Sequence, residues 1–209
     1  MYVVITTIRR YHEALWKLLQ TVPREWKYIL VYQDEPDGNN DRYIIRDDGN
    51  IEVYISQNLY DYGSFVGVNM LLNDKVVPDN SWFLFIHDTC KFGPKSKQTI
   101  ENLIERAFDY DLVWLCCSGQ GNICIIRNMI PHGNSVYNGM KMTKQYAVEI
   151  EHGEGKDSIK SFPCRQLFLI HQNTFIHPSF PYDDVELYGQ RTTVKFDTFD
   201  LEKYYRNED

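Results

Sequence analysis

The chain has 209 residues, 43% apolar and 14% aromatic, which excludes a disordered polypeptide and fits one substantial core in a single domain over 1–209. A net charge of −7 excludes broad contact with a nucleic-acid backbone or an anionic membrane, because both need a basic field. No apolar stretch in the sequence approaches the roughly 20 residues that span a bilayer, no signal peptide is expected before the first strand-like run, and five cysteines without C-x-x-C spacing read as reduced thiols. A cytoplasmic protein is the expectation.

In chain order, "YVVI" (2–5) reads as a strand, and Leu15, Leu18, Leu19 and Val22 at i, i+3, i+4, i+7 predict an amphipathic helix. Strands follow at "YILVY" (28–32) and "IEVYI" (51–55). A second helix over about 64–73 places Phe65, Val68 and Leu72 on one face, with Ser64 as N-cap. "WFLFI" (82–86) is a strand, and Ile100, Leu103, Ile104, Ala107 and Phe108 predict a third helix. "LVWLCC" (112–117), "ICII" (123–126) and "LFLI" (167–170) are further strands, with loops and a short helix near 142–151 after about residue 128. Several strands are apolar at every position, as strands covered on both faces are. The class expected is therefore α/β, with a central, mostly parallel mixed sheet flanked by helices in the Rossmann manner.

In such a sheet ligands sit beyond the carboxyl ends of the strands, so the residues that end each run carry the chemistry. These are Thr6, Thr7, Arg9 and Arg10; Gln33, Asp34 and Glu35; Ser56, Gln57 and Asn58; His87, Asp88, Thr89 and Cys90. Hydroxyls, arginines and carboxylates on one edge suit a nucleoside diphosphate, with Asp88 holding Mn²⁺ or Mg²⁺ between the phosphates. P-loop and G-x-G-x-x-G signals are absent from the sequence, and a metal bridge is the natural substitute.

"YVVITTIRR", "YDYGSFVGVNMLLND" and "SWFLFIHDTCKFGP" together resemble the first half of GT-A fold glycosyltransferases, in order and spacing over about 1–130. The resemblance implies a metal-dependent transferase moving a sugar from a nucleoside diphosphate, uridine diphosphate in the first instance, to a glycan or glycoprotein acceptor. It also implies a donor part over about 1–130 and an acceptor part over about 131–209. In the family an Asp-x-Asp motif binds metal and donor; here Asp88 matches the first acid and Cys90 stands at the second. Gly63 and Asn69 would line the donor pocket, His177 would complete the metal set with His171 as competitor, and Glu149 or Glu151 would face the reacting sugar. Within the family, size and the "HDTC" variant resemble an amino-terminal domain of capsid glycosyltransferases of large algal viruses. That likeness implies a piece of a longer polypeptide, with the polar "DLEKYYRNED" as a solvated tail or linker.

Each residue also has a structural reading. Asp88 could cap the turn before Gly93-Pro94, Cys90 could pack, and Arg9 and Arg10 could be solvated charges. Thr6 and Thr7 could be strand-end or capping residues, which is compatible with phosphate at a helix N-terminus. Asp34 lies in a turn-prone segment, and Tyr62 could stack on a ring or pack. Gln120 lies between Gly119 and Gly121, either a loop approaching the sugar or a hairpin turn between the strands beside it. Glu149 and Glu151 are two apart and so on different helix faces, which leaves a role for at most one. The rival functions are a nucleotidyltransferase, disfavoured because "TTIRRYHEA" has no glycine, and a binding module that has lost catalysis at Cys90.

Overall fold

Val3, Val4 and Ile5 are all inaccessible to solvent, which a strand achieves only when both of its faces are covered. They belong to β1 (Tyr2–Ile8) in a computed structural model that describes residues 1–8, 11–33, 41–56, 61–106, 112–114, 123–127, 174–176, 193–196 and 199–204. The remaining elements are α1 (His12–Leu19), β2 (Lys27–Gln33), β3 (Arg42–Ile45), β4 (Ile51–Ile55), α2 (Asp61–Asn73), β5 (Trp82–His87), β6 (Cys90–Phe92) and α3 (Ser96–Arg106). They continue with β7 (Leu112–Trp114), β8 (Cys124–Arg127), β9 (Thr174–Ile176), β10 (Thr193–Phe196) and β11 (Leu201–Tyr204).

Among the described residues the main sheet runs β3-β4-β2-β1-β5-β8-β7-β9, and a small sheet runs β10-β11-β6. The centre of the main sheet, β4-β2-β1-β5, is parallel, while β3 and β8 join its two sides antiparallel. The α/β class and the mostly parallel mixed sheet are thus as the apolar runs predict. From β1 the chain steps outward through β2 to β4, then returns to β5 on the other side of β1. This is the Rossmann strand order, with its switch point between β1 and β5. Right-handed crossovers that travel in opposite directions put α1 and α2 on opposite faces. α2 lies close on its face: a Cβ added at Gly67 would come within 3.1 Å of Val31 and 3.2 Å of Val53. Phe65 of that helix also meets Phe85, with ring centroids 4.6 Å apart.

Three expectations need correction. Ser64 is not an N-cap, because α2 begins at Asp61 and places Ser64 inside the helix, where it is buried. Val22 does not belong to α1, which ends at Leu19; the Thr21 hydroxyl donates to the Leu18 carbonyl at 2.7 Å just beyond it. The polar ending is not a solvated linker as far as Tyr204. Leu201–Tyr204 pairs with both β6 and β10, and Phe199 and Leu201 are 5% and 1% exposed. Two apolar anchors among charges were enough to hold a strand once another strand lay beside them. β3, β6, β9 and β10 are likewise short strands that the apolar runs did not mark. The "LFLI" run, the helix near 142–151, and Ala107 and Phe108 lie outside the described residues. No helix among the described residues is long and apolar enough to cross a membrane.

Candidate functional site

The carboxyl edge of the parallel strands gathers polar residues that the core would otherwise reject. Thr6, Thr7, Gln33 and Asp88 are 9%, 3%, 0% and 4% exposed. A buried carboxylate must be hydrogen-bonded to be tolerable. Thr7 Oγ1 donates to Asp88 Oδ2 at 2.8 Å, and the Asp88 N–H donates to the Thr6 carbonyl at 3.3 Å. Both bonds join β1 to the end of β5, so Asp88 sits on the switch point between them.

The register extends this pair across the sheet. Thr7 is the partner of Tyr32, Tyr32 of Tyr54, and Tyr54 of Arg42. Asp88, Thr7, Tyr32, Tyr54 and Arg42 therefore form one transverse row, roughly 19 Å long at about 4.8 Å per strand. Tyr32 and Tyr54 stack at 5.3 Å with an interplanar angle of 14°, and the Arg42 guanidinium lies 4.5 Å from the Tyr54 centroid. The Tyr54 hydroxyl donates to Glu52 at 2.5 Å, and Arg46 reaches the same carboxylate oxygen at 2.6 Å. Burial, then the hydrogen bond to Glu52, pushes the Tyr54 phenol up to about 12. At the far end of β4, Asp41 accepts from the Ser56 N–H and hydroxyl at 3.0 and 3.1 Å, which closes the β3–β4 edge.

The expected residues divide by position. Thr6, Thr7, Gly63 and Asp88 come to one edge, since α2 follows β4 and so starts where the parallel strands end. Gly63 packs on Gln33: an added Cβ would overlap the carboxamide of that fully buried side chain. Asn69 is half-buried and six residues on, about 9 Å along the helix axis from Gly63 at 1.5 Å per residue. That displacement carries it away from the edge. Cys90 is 4% exposed and shares the buried side of β6 with Phe92, while Lys91 between them is exposed. Tyr62 lies in α2, at the same edge as Gly63. Arg9, Asp34, Gln120, Glu149, Glu151 and His177 lie outside the described residues. Among the described residues no three His, Cys, Asp or Glu side chains group as metal ligands.

Tyr32, Tyr54 and Arg42 were not singled out from the sequence. The available signal was the Tyr next to last in both "YILVYQ" and "IEVYI", which the parallel register brings level because Gln33 and Ile55, the last residues of the two strands, are partners.

No family profile and no curated protein sequence matches the chain. Among solved structures it is similar to the glycosyltransferase GlyE of Streptococcus pneumoniae, with a TM-score of 0.49 and 13% identity over 85% of this chain. The match takes in 45% of the GlyE chain, so this chain spans less than half of that protein's length. At that level of similarity no residue role is carried across.

Proposed function

We propose that the chain is a glycosyltransferase that takes a sugar from a nucleoside diphosphate, uridine diphosphate in the first instance, and passes it to a glycan hydroxyl in the cytoplasm. The observation that carries this reading is the buried Thr7–Asp88 pair at the switch point, where open parallel sheets bind their ligands. The row running from that pair into the Tyr32–Tyr54 stack supports it, because a planar base is held well beside aromatic rings while its phosphates need polar groups.

Asp88 offers hard oxygen, which fits Mg²⁺ or Mn²⁺ completed by phosphate oxygens and His177 better than a set relying on the Cys90 thiol. When bound, such an ion neutralises charge on the departing diphosphate. Thr7 holds the Asp88 carboxylate in place. Arg9, one residue beyond β1, is proposed to bind the diphosphate by charge-assisted hydrogen bonds. Glu149 or Glu151 would take the acceptor proton if the reaction inverts the anomeric centre, and Gln120 would steady the sugar if it retains. A capsid glycan as acceptor rests on the sequence resemblance alone.

The test is titration of uridine diphosphate in Mn²⁺ with the parent protein and Asp88→Ala, alongside release of sugar from uridine diphosphate sugars with and without Mn²⁺. Loss of Mn²⁺-dependent binding in the variant, with turnover in the parent, is the expected result. Binding without turnover would make the chain a binding module. Unchanged affinity in Asp88→Ala would remove the assignment.

A further inference from the structure

We propose that Asp200 is a positioning residue for Asp88, acting from the far end of the chain through β6; its functional consequence rests on the reading above. Asp88 and Thr89 form the turn between β5 and β6. One side of this turn is secure, because β5 lies inside the main sheet between β1 and β8. The other side, among the described residues, is an edge. β6 has β11 as its strand partner, through Phe92 with Leu201, Lys91 with Glu202 and Cys90 with Lys203. The last of these pairs is two residues from Asp88.

Asp200 fastens that strand pair. Its φ of 52° is left-handed, a region that Asp tolerates better than most side chains. In this conformation one residue meets the chain twice. Its carbonyl accepts from the Gly93 N–H at 2.7 Å, and its Oδ2 accepts from the Lys95 N–H at 2.6 Å. A Cβ added at Gly93 would overlap the Asp200 carboxylate, so the approach requires glycine there. The Phe199 carbonyl accepts from Thr99 Oγ1 at 3.2 Å, tying the same segment to α3. Phe199 and Leu201 are buried on either side of Asp200, so the turn is fixed by apolar anchors as well as by hydrogen bonds. Segment 199–204 is therefore a brace that closes the open side of the Asp88 turn.

The experiment uses the full chain with Asp200→Ala and Asp200→Asn, all at a temperature well below the unfolding midpoint of each. Asparagine keeps a side-chain acceptor and tolerates the left-handed backbone; alanine does neither. Amide hydrogen exchange should quicken in Asp200→Ala by about tenfold or more across residues 88–93, with β1 and β2 unchanged, and return close to the parent rate in Asp200→Asn. Mn²⁺-dependent affinity for uridine diphosphate should fall about tenfold in Asp200→Ala and recover in Asp200→Asn. Unchanged exchange over 88–93 in Asp200→Ala overturns the brace. Quickened exchange with undiminished affinity confines Asp200 to stability and overturns its positioning role. If the parent protein binds no nucleotide, the transferase reading fails, while the exchange data still decide whether Asp200 holds the turn.

Discussion

Gly63 lies against the carboxamide of Gln33, and only a hydrogen fits between the α2 backbone and that fully buried side chain. Alanine is favoured over glycine within a helix by about 1 kcal/mol, whereas overpacking a well-filled site costs about 1–3 kcal/mol. The overlap should win. Gly63→Ala is expected to destabilise by about 1–2 kcal/mol in urea unfolding. In a Gln33→Ala background the same substitution should become stabilising, because the helix preference remains after the overlap has gone. A destabilisation of equal size in both backgrounds would show that Gln33 is not the obstacle.

Thr7→Val keeps the shape of the Thr7 side chain and removes the donor to Asp88. The loss should be about 1.5–3 kcal/mol, the range for a hydrogen bond to a charged group, with Thr7→Ser much less affected. Equilibrium denaturation of the two variants side by side measures it.

Burial raises the phenols of both Tyr54 and Tyr28, and nearby carboxylates, Glu52 for Tyr54 and Asp48 then Glu52 for Tyr28, add to it. A group whose pKa is raised on folding contributes stability that is complete below its unfolded value and is lost as the pH climbs through the folded one. For Tyr54 that window runs from 10.0 to about 12. The unfolding midpoint should therefore fall across this range. Tyr54→Phe should make the decline shallower without abolishing it, since Tyr28 remains. An identical slope in parent and variant would contradict the assignment to Tyr54.

Arg9→Ala tests the proposed donor pocket without touching Asp88. Binding of uridine diphosphate should weaken by about 1.5–3 kcal/mol by calorimetry, while the unfolding midpoint moves little. Equal and negligible losses in Arg9→Ala and Arg10→Ala would place the diphosphate elsewhere.

Cys90 shares the buried side of β6 with Phe92, so Cys90→Asp would bring a carboxylate into the core. The expected outcome is a loss of about 3–5 kcal/mol, as for an uncompensated buried charge. A stable variant with improved use of Mg²⁺ over Mn²⁺ would instead put this position at the ion.

The apolar runs at Val3–Ile5 and Phe83–Ile86 made the doubly covered strands legible from composition alone. Repeated strand and helix periods made the α/β class legible in the same way, because burial on both faces and helical spacing are written over a few neighbouring residues. Asp88 could be picked out as a polar residue closing an apolar run. Its partner could not. Thr7 lies 81 positions away, and nothing local in "TTIRR" states which strand will stand beside it or at what register. Tyr32, Tyr54 and Arg42 became a row only when three strand registers aligned them. The ending shows the same limit most plainly. "DLEKYY" is polar enough to read as a tail, yet Leu201 against Phe92 and a left-handed Asp200 against Gly93 make it a strand, since pairing depends on which edge is free across the fold. Local sequence sets what each segment can become, and non-local packing decides which residues meet.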